Sequence, residues 1–118
     1  MNIVMIVIQC FFIFMFLVAG TSKLLGSKQQ VEIFKEINLP QWLRIVTGLV
    51  EVLGAIALVI GFFDEKFVAI GGLIIGSTML GATGIHMIIK DAFKKVLPPF
   101  IFALLALSLS LEWILQVL

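Results

Sequence analysis

Charged side chains are scarce in this chain: they make up 13% of its 118 residues, whereas apolar side chains make up 62%. A soluble domain carries about 25% charged residues, and a domain this small leaves much of its surface in contact with water. A water-soluble globule could not hide so much apolar surface, and the same excess excludes a disordered chain. The composition therefore indicates an integral membrane protein.

Other residue types that support common functions are also missing or rare. Cysteine occurs once, at Cys10, tyrosine does not occur, and the formal net charge is only +1. A lone cysteine excludes a disulfide scaffold and dithiol–disulfide exchange by this chain alone. The small charge does not fit an electrostatic binder, so no nucleic-acid partner is expected. One histidine, His86, and one deep carboxylate, Glu51, form too small a set for a transition-metal site, and the sequence predicts no metal.

Four apolar stretches are long enough to cross a hydrocarbon core of ~30 Å, which takes about 20 helical residues. Backbone groups in lipid must bond within their own segment, so each stretch is expected to be helical. The predicted fold class is all-α: one transmembrane domain over residues 1–118, a four-helix bundle with an interfacial amphipathic helix between helices 1 and 2. The predicted membrane helices cover about 3–23, 43–63, 67–90 and 96–117, and the interfacial helix about 28–38. Pro98 and Pro99 would lie in the first turn of the fourth helix, where proline is tolerated.

The connections between the spans differ in charge. In the first one, apolar side chains fall in one helical arc (Val31, Ile33, Phe34 and Ile37), and we expect that arc to face the membrane. Seven of the eight basic residues lie in the first and third connections: Lys23, Lys28, Lys35, Arg44, Lys90, Lys94 and Lys95. The positive-inside rule then predicts that these connections are cytoplasmic and that both termini are outside.

Three ionisable residues lie within or at the ends of the apolar spans: Lys23, Glu51 and His86. Such groups are costly in a membrane and are functional candidates by default. Glu51 lies seven residues after Arg44, ~10 Å below the boundary, and His86 lies four residues before Lys90, ~6 Å below it. Because adjacent spans alternate in direction, all three groups fall in the same half of the membrane. We expect them to meet inside the bundle.

Helical spacing adds two hydroxyls to this cluster. Thr47 precedes Glu51 by one turn and Thr83 precedes His86 by about one turn, so the predicted ligand pocket consists of Lys23, Glu51, His86, Thr83 and Thr47. Each ionisable residue also has a structural interpretation. The lysine can extend to the headgroups, the glutamate can fix helix register by pairing with Lys23 or Arg44, and the histidine can bridge helices by a hydrogen bond.

Two further features concern helix packing. Gln9 is expected to form an interhelical hydrogen bond rather than to bind a ligand. Gly72 and Gly76 form a GxxxG pattern on a stripe that continues through Met79, Thr83 and His86. Small residues let helices approach closely in a bilayer, and the pattern fits a homodimer as well as packing within the bundle.

Four short segments resemble the DoxX/DoxX-like family of small four-helix membrane proteins. They are the end of helix 1 (Ala19–Leu24), the Leu39–Pro40 element, the run Leu49–Gly54 in helix 2, and the helix-3 ending Gly81–His86. The resemblance implies a protein of the bacterial cytoplasmic membrane. Some relatives are linked to quinone-dependent oxidation of sulfur compounds, as the membrane subunit of a thiosulfate:quinone oxidoreductase. This chain has no second cysteine, so an electron-transfer role needs a partner protein, a bound quinone, or both.

Three functions remain open at this stage. The first is a membrane subunit of a quinone-linked redox system, in which Glu51 and His86 exchange protons with a quinone headgroup. The second is a non-catalytic structural or assembly protein that contacts a membrane-protein partner or a second copy of itself. The third is a small-solute or proton transporter, against which stands the lack of a polar stripe through the outer half of the spans.

Overall fold

The computed structural model describes residues 3–118, and every regular element among them is a helix. The elements are α1 (Ile3–Leu25), α2 (Lys28–Glu36), α3 (Gln41–Ile60), α4 (Lys66–Ile88) and α5 (Phe93–Val117). All except α2 are long and apolar enough to cross a membrane. The all-α prediction with four spans and a short helix after the first is confirmed, with bounds shifted by a few residues. The chain is a multi-pass membrane protein.

A tight turn joins α1 to α2. Gly26 adopts a left-handed conformation (φ 70°), which glycine allows without steric cost. Its N–H bonds to the carbonyl of Lys23, and the next N–H, of Ser27, reaches the carbonyl of Ser22, which completes a Schellman motif. The Ser27 side chain then accepts a hydrogen bond from Gln30 N and caps α2. This turn folds α2 back over the end of the bundle.

The long helices pack in the order α1, α3, α4, α5, each antiparallel to the next. Glycines allow the close approach. A Cβ on Gly20 would lie 2.8 Å from the carbonyl oxygen of Gly48, and one on Gly71 would lie 2.9 Å from that of Gly54. Because adjacent long helices are antiparallel, the two basic connections lie at one end of the bundle and the connection of opposite charge lies at the other. We call the end formed by residues 23–44 and 86–95 the basic end.

The GxxxG pattern serves packing within the chain. A Cβ on Gly72 would lie 2.6 Å from the carbonyl oxygen of Ala106, and one on Gly76 would lie 2.7 Å from the Leu107 side chain. Both neighbours belong to α5. The glycine face of α4 is thus covered by α5.

The apolar core occupies the half of the bundle away from the basic end. There α1 and α5 meet through aromatic rings, with Phe12 and Phe102 edge to face at 5.9 Å between centroids. Phe12 and Leu58 are fully buried, and Ile75 and Leu109 are 1% exposed. These side chains fill the interior in that half, so no open path crosses it among the described residues.

The fourth span begins earlier than its sequence suggested, and the expectation for the prolines is corrected. Helix α5 starts at Phe93, so Pro98 and Pro99 lie inside the helix rather than in its first turn. The physical reason is local hydrogen bonding: Asp91 Oδ1 accepts a hydrogen bond from Ala92 N, and Lys95 N and Val96 N donate to the Ala92 carbonyl. A hydrogen-bonded turn therefore forms upstream of the prolines.

Candidate functional site

The close crossing of α1 and α3 determines how the charged residues meet. Gly20 and Gly48 lie against each other, with Lys23 and Glu51 each three residues further along its own helix. Side chains on a helix lean toward its N-terminus. Because the two helices are antiparallel, Lys23 and Glu51 lean toward each other across the crossing.

The two groups form a buried ion pair. Lys23 Nζ lies 2.8 Å from Glu51 Oε1, and the side chains are 14% and 2% exposed. Burying a carboxylate in an apolar interior is unfavourable unless it is paired and hydrogen-bonded. Lys23 is therefore the partner of Glu51, one of the two partners that the sequence allowed.

The sequence also allowed Arg44 as a partner for Glu51, but the Arg44 guanidinium makes other hydrogen bonds. Its Nη1 donates a hydrogen bond to the carbonyl of Lys23, and its Nε donates to Gln41 Oε1 at 2.8 Å. The guanidinium lies beside Gly26. Arg44 thus binds the C-terminal end of α1 and holds the backbone of Lys23, one member of the ion pair, in place.

A cavity of about 410 Å³ lies beside this pair, bounded by α2, α3 and α4. We call it the Glu51 cavity. Most of its wall is apolar, and its polar groups are few. Its lining consists of Lys23, Gln30, Ile33, Phe34, Ile37, Leu39, Leu43, Thr47, Glu51, Thr78, Met79, Gly81, Ala82, Ile85 and His86. Three of the four apolar positions in the predicted amphipathic arc line this cavity: Ile33, Phe34 and Ile37. The expectation that the arc faces the membrane is therefore corrected, because α2 packs over the cavity with Phe34 buried.

Four of the five residues expected at a pocket line it together: Lys23, Thr47, Glu51 and His86. The fifth, Thr83, lies elsewhere. Its hydroxyl donates to the Met79 carbonyl at 2.8 Å, and the residue lines a separate groove of about 520 Å³ between α4 and α5.

The helical stripe on α4 explains this separation. At 100° per residue, Thr83 and His86 point about 60° apart around the axis. The stripe lies along the border between two faces of α4: the face that packs on α5 and the face that lines the Glu51 cavity. Gly76 and Thr83 fall on the first side, while Met79 and His86 fall on the second. Sequence spacing grouped these residues, but only the positions of the neighbouring helices decide on which side of the border each one lies.

His86 has a carboxylate partner that the sequence reading missed. Its Nδ1 lies 2.8 Å from Asp91 Oδ2, and the two side chains are 23% and 18% exposed. The hydrogen bond from His86 is the main cause that lowers the pKa of Asp91, with Ala92 N and Lys95 as further contributors. An ionised carboxylate only accepts hydrogen bonds, so Nδ1 carries the proton and Nε2 is the ring nitrogen left for a ligand.

Two kinds of signal could have found what the sequence reading missed. Asp91 lies two residues before the start of α5 and five residues after His86, so the short turn between α4 and α5 could have indicated that the two side chains meet. The contribution of α2 could have been read from its apolar arc, because a short amphipathic helix over a bundle covers whatever lies beneath it. The contacts that α4 makes inside the bundle have no comparable pattern in the sequence.

The family comparison agrees with this architecture. A family model described as the DoxX-like family matches residues 7–109. The chain belongs to the DoxX-like family. No curated protein and no solved structure matches it. In this DoxX-like protein the matched region includes the ion pair, the histidine–carboxylate pair and the whole lining of the Glu51 cavity.

Proposed function

We propose that this DoxX-like protein is the membrane subunit of a quinone-linked redox system and binds a quinone headgroup in the Glu51 cavity. The observation that carries this proposal is the cavity itself: about 410 Å³, walled mainly by apolar side chains, with the buried Lys23–Glu51 pair and His86 on its surface. Small-molecule sites are typically clefts of ≈ 300–1,000 Å³ that combine apolar walls with a few polar groups. The cavity has both properties.

The residues present fit a quinone headgroup. Its ring requires apolar neighbours, which Phe34, Met79 and Ile85 provide. Its carbonyl oxygens require hydrogen-bond donors, and the Lys23 ammonium and the Thr47 hydroxyl can donate. When bound, a quinone supplies the capacity to accept electrons and protons, chemistry that belongs to the cofactor rather than to the protein.

The chain itself contributes groups that hold and move protons. The Nε2 atom of His86 is the ring nitrogen that can accept a hydrogen bond or a proton from a ligand while Nδ1–H stays bonded to Asp91. Glu51 is kept at the cavity wall by Lys23 and can accept or release a proton there. Electron transfer needs a further partner protein.

Quinone titration tests this proposal. The protein in lipid nanodiscs is titrated with decylubiquinone, and binding is measured by equilibrium partition between protein-containing and empty discs. We expect Glu51→Gln to weaken binding by about tenfold, which corresponds to ~1.4 kcal/mol. The matched control is Glu112→Gln, the same change at a carboxylate outside this cavity, and its affinity should equal that of the unmodified protein. Equal affinity in Glu51→Gln would remove Glu51 from the site.

A structural or assembly role is the second candidate, and one observation favours it. The Lys23–Glu51 pair joins α1 to α3 at their closest crossing, so it can serve helix packing alone. In that case Glu51→Ala lowers the melting temperature in detergent, and the unmodified protein takes up no decylubiquinone. A fully stable Glu51→Ala variant would contradict the structural role.

We also propose that the protein lies in a bacterial cytoplasmic membrane with its basic end in the cytoplasm and both termini outside. Support comes from the charge distribution, since Lys66 is the one basic residue in the connection at the other end, between α3 and α4. Basic loops are retained on the cytoplasmic side. A C-terminal alkaline phosphatase fusion should be active, and a green fluorescent protein fusion at the same site should be dark. The reverse pattern would overturn this orientation.

A further inference from the structure

One side of the Glu51 cavity is open at Gly81. This glycine lines the cavity and is exposed, and a Cβ placed on it would meet no atom within 4 Å. Gly81 lies seven residues before the end of α4 at Ile88, which is ~10 Å into the span. An opening at this depth faces the hydrocarbon region rather than water.

The other side of the opening is formed by α2. This helix packs on α3 and on α1, whereas the cavity separates it from the second half of α4. Two of its three residues that line the cavity are apolar, Ile33 and Phe34, and the third is Gln30; Ile33 is still 37% exposed. Apolar side chains at an opening favour a ligand that arrives dissolved in the bilayer, because no charged group has to be desolvated on the way in.

The ion pair and the Thr47 hydroxyl belong to helices other than the one that carries Gly81. Lys23 belongs to α1, and Thr47 and Glu51 belong to α3, whereas His86 shares α4 with Gly81. A ligand that occupies the cavity from the open side would therefore direct its polar part inward. Its apolar part would lie toward the gap.

We propose that the ligand enters the Glu51 cavity sideways from the bilayer, through the gap between α2 and α4, and carries a hydrocarbon tail that lies along Gly81. The headgroup chemistry rests on the proposed quinone function, whereas the route rests on the exposed position of Gly81 and on the separation of α2 from α4. Glycine at this position determines specificity, because any larger side chain would project into the path of the tail.

A pair of glycines offers a matched test. Gly84 lies on the same helix, and a Cβ there also meets no atom within 4 Å, but it lines neither the Glu51 cavity nor the α4–α5 groove. Gly81→Leu and Gly84→Leu are compared in nanodiscs for binding of decylubiquinone and of its tail-less dimethoxy-methyl-benzoquinone headgroup. Replacing a helical glycine favours the helix, so both variants should fold.

We expect Gly81→Leu to weaken decylubiquinone binding by about tenfold and to leave the tail-less headgroup within about twofold of the unmodified protein. Gly84→Leu should leave the affinity for both probes unchanged. Equal weakening of both probes by Gly81→Leu would overturn the proposed path of the tail, and so would the same loss in Gly84→Leu.

A second measurement needs no ligand and separates this inference from the quinone function. In a Cys10→Ser background, a nitroxide at Met79→Cys, on the cavity wall, is tested for collisions with oxygen, which partitions into lipid, and with a water-soluble nickel chelate. Faster relaxation by oxygen supports an opening to the bilayer, and faster relaxation by nickel overturns it. If neither quinone binds the unmodified protein, the quinone function fails, and this collision ratio still decides the route.

Discussion

The side chain of Gln9 in α1 donates a hydrogen bond from Nε2 to the carbonyl of Leu58 in α3, at 2.7 Å. Leu58 lies in the last turn of α3, where carbonyls lack partners from their own helix. The N–H groups that follow α3 bond to Ala57, Val59 and Ile60 and leave the Leu58 oxygen to Gln9. The interhelical role expected for Gln9 is thereby confirmed, and its purpose is to satisfy a helix end within the apolar core.

Gln9→Met should destabilise the protein by about 1 kcal/mol, at the low end of the 1–3 kcal/mol for an unpaired buried polar group. The loss is small because the substitution also removes the Gln9 Oε1 atom, which is buried without a hydrogen-bond partner. The change in the free energy of unfolding is measured by unfolding with sodium dodecyl sulfate in mixed micelles. Ser108→Ala, which removes a bond within α5 only, is the control; equal stability of Gln9→Met and the unmodified protein would contradict the assigned role.

Breaking the Lys23–Glu51 pair from one side should cost more than removing it altogether. Lys23→Met or Glu51→Gln alone leaves one buried charge or polar group uncompensated, with a loss on the order of 3–5 kcal/mol for a removed charge partner. The double variant should regain at least about 1 kcal/mol of the summed losses in the same unfolding assay. The exposed Lys66–Asp64 pair serves for comparison, with an expected coupling of about 0–1 kcal/mol. Strict additivity at Lys23 and Glu51 would show that the two groups do not interact.

Gly48→Ala should weaken the crossing of α1 and α3. The added Cβ would lie 2.8 Å from the Gly20 carbonyl oxygen and 2.8 Å from Lys23 Cβ, and the backbone oxygen cannot move independently of its helix. Gly84→Ala, where a Cβ has open space, should instead stabilise α4 by about 0.5–1 kcal/mol. Opposite shifts in melting temperature are the expected result. A stabilised Gly48→Ala would mean that the helices are further apart than described.

Stability should also depend on pH through Asp91. The hydrogen bond from His86 lowers the pKa of Asp91 in the folded protein. The resulting stabilisation is present above the ordinary carboxyl pKa, near pH 4, and is lost as the pH falls through the lowered folded value. In melting curves below about pH 5, Asp91→Asn should therefore remove part of the acid-induced loss of stability. Lys95, whose Nζ lies 3.9 Å from Asp91, is tested by Lys95→Gln, which should change the curve less. An unchanged acid limb in Asp91→Asn would contradict this account.

The membrane architecture follows from the sequence because the bilayer imposes it. A run of about 20 apolar residues must form a helix in lipid, and this requirement does not depend on which helix lies beside it. The depth of Lys23, Glu51 and His86 follows in the same way from a rise of 1.5 Å per residue. The meeting of Lys23 with Glu51 was therefore predictable from their level and from the small residues around them.

The position of Thr83 was decided only by the tertiary structure, and helical periodicity does not give the pairing of His86 with Asp91. Helical spacing places Thr83 and His86 about 60° apart around the axis, and the border between the neighbouring helices falls within that angle. Thr83 lies on the α5 side of this border and His86 on the cavity side. Asp91 reaches His86 because the chain turns back between α4 and α5, a contact that no periodicity encodes.

The sequence by itself determined how many times the chain crosses the bilayer and at what depth its charged groups lie, since both depend on local composition and helix rise. The tertiary structure decided that α2 lies over a cavity, that Arg44 binds the end of α1 rather than Glu51, and that Gly81 is an exposed part of the cavity lining. These features depend on distances between segments far apart in the chain. Such distances are set by how closely glycine faces let the helices approach.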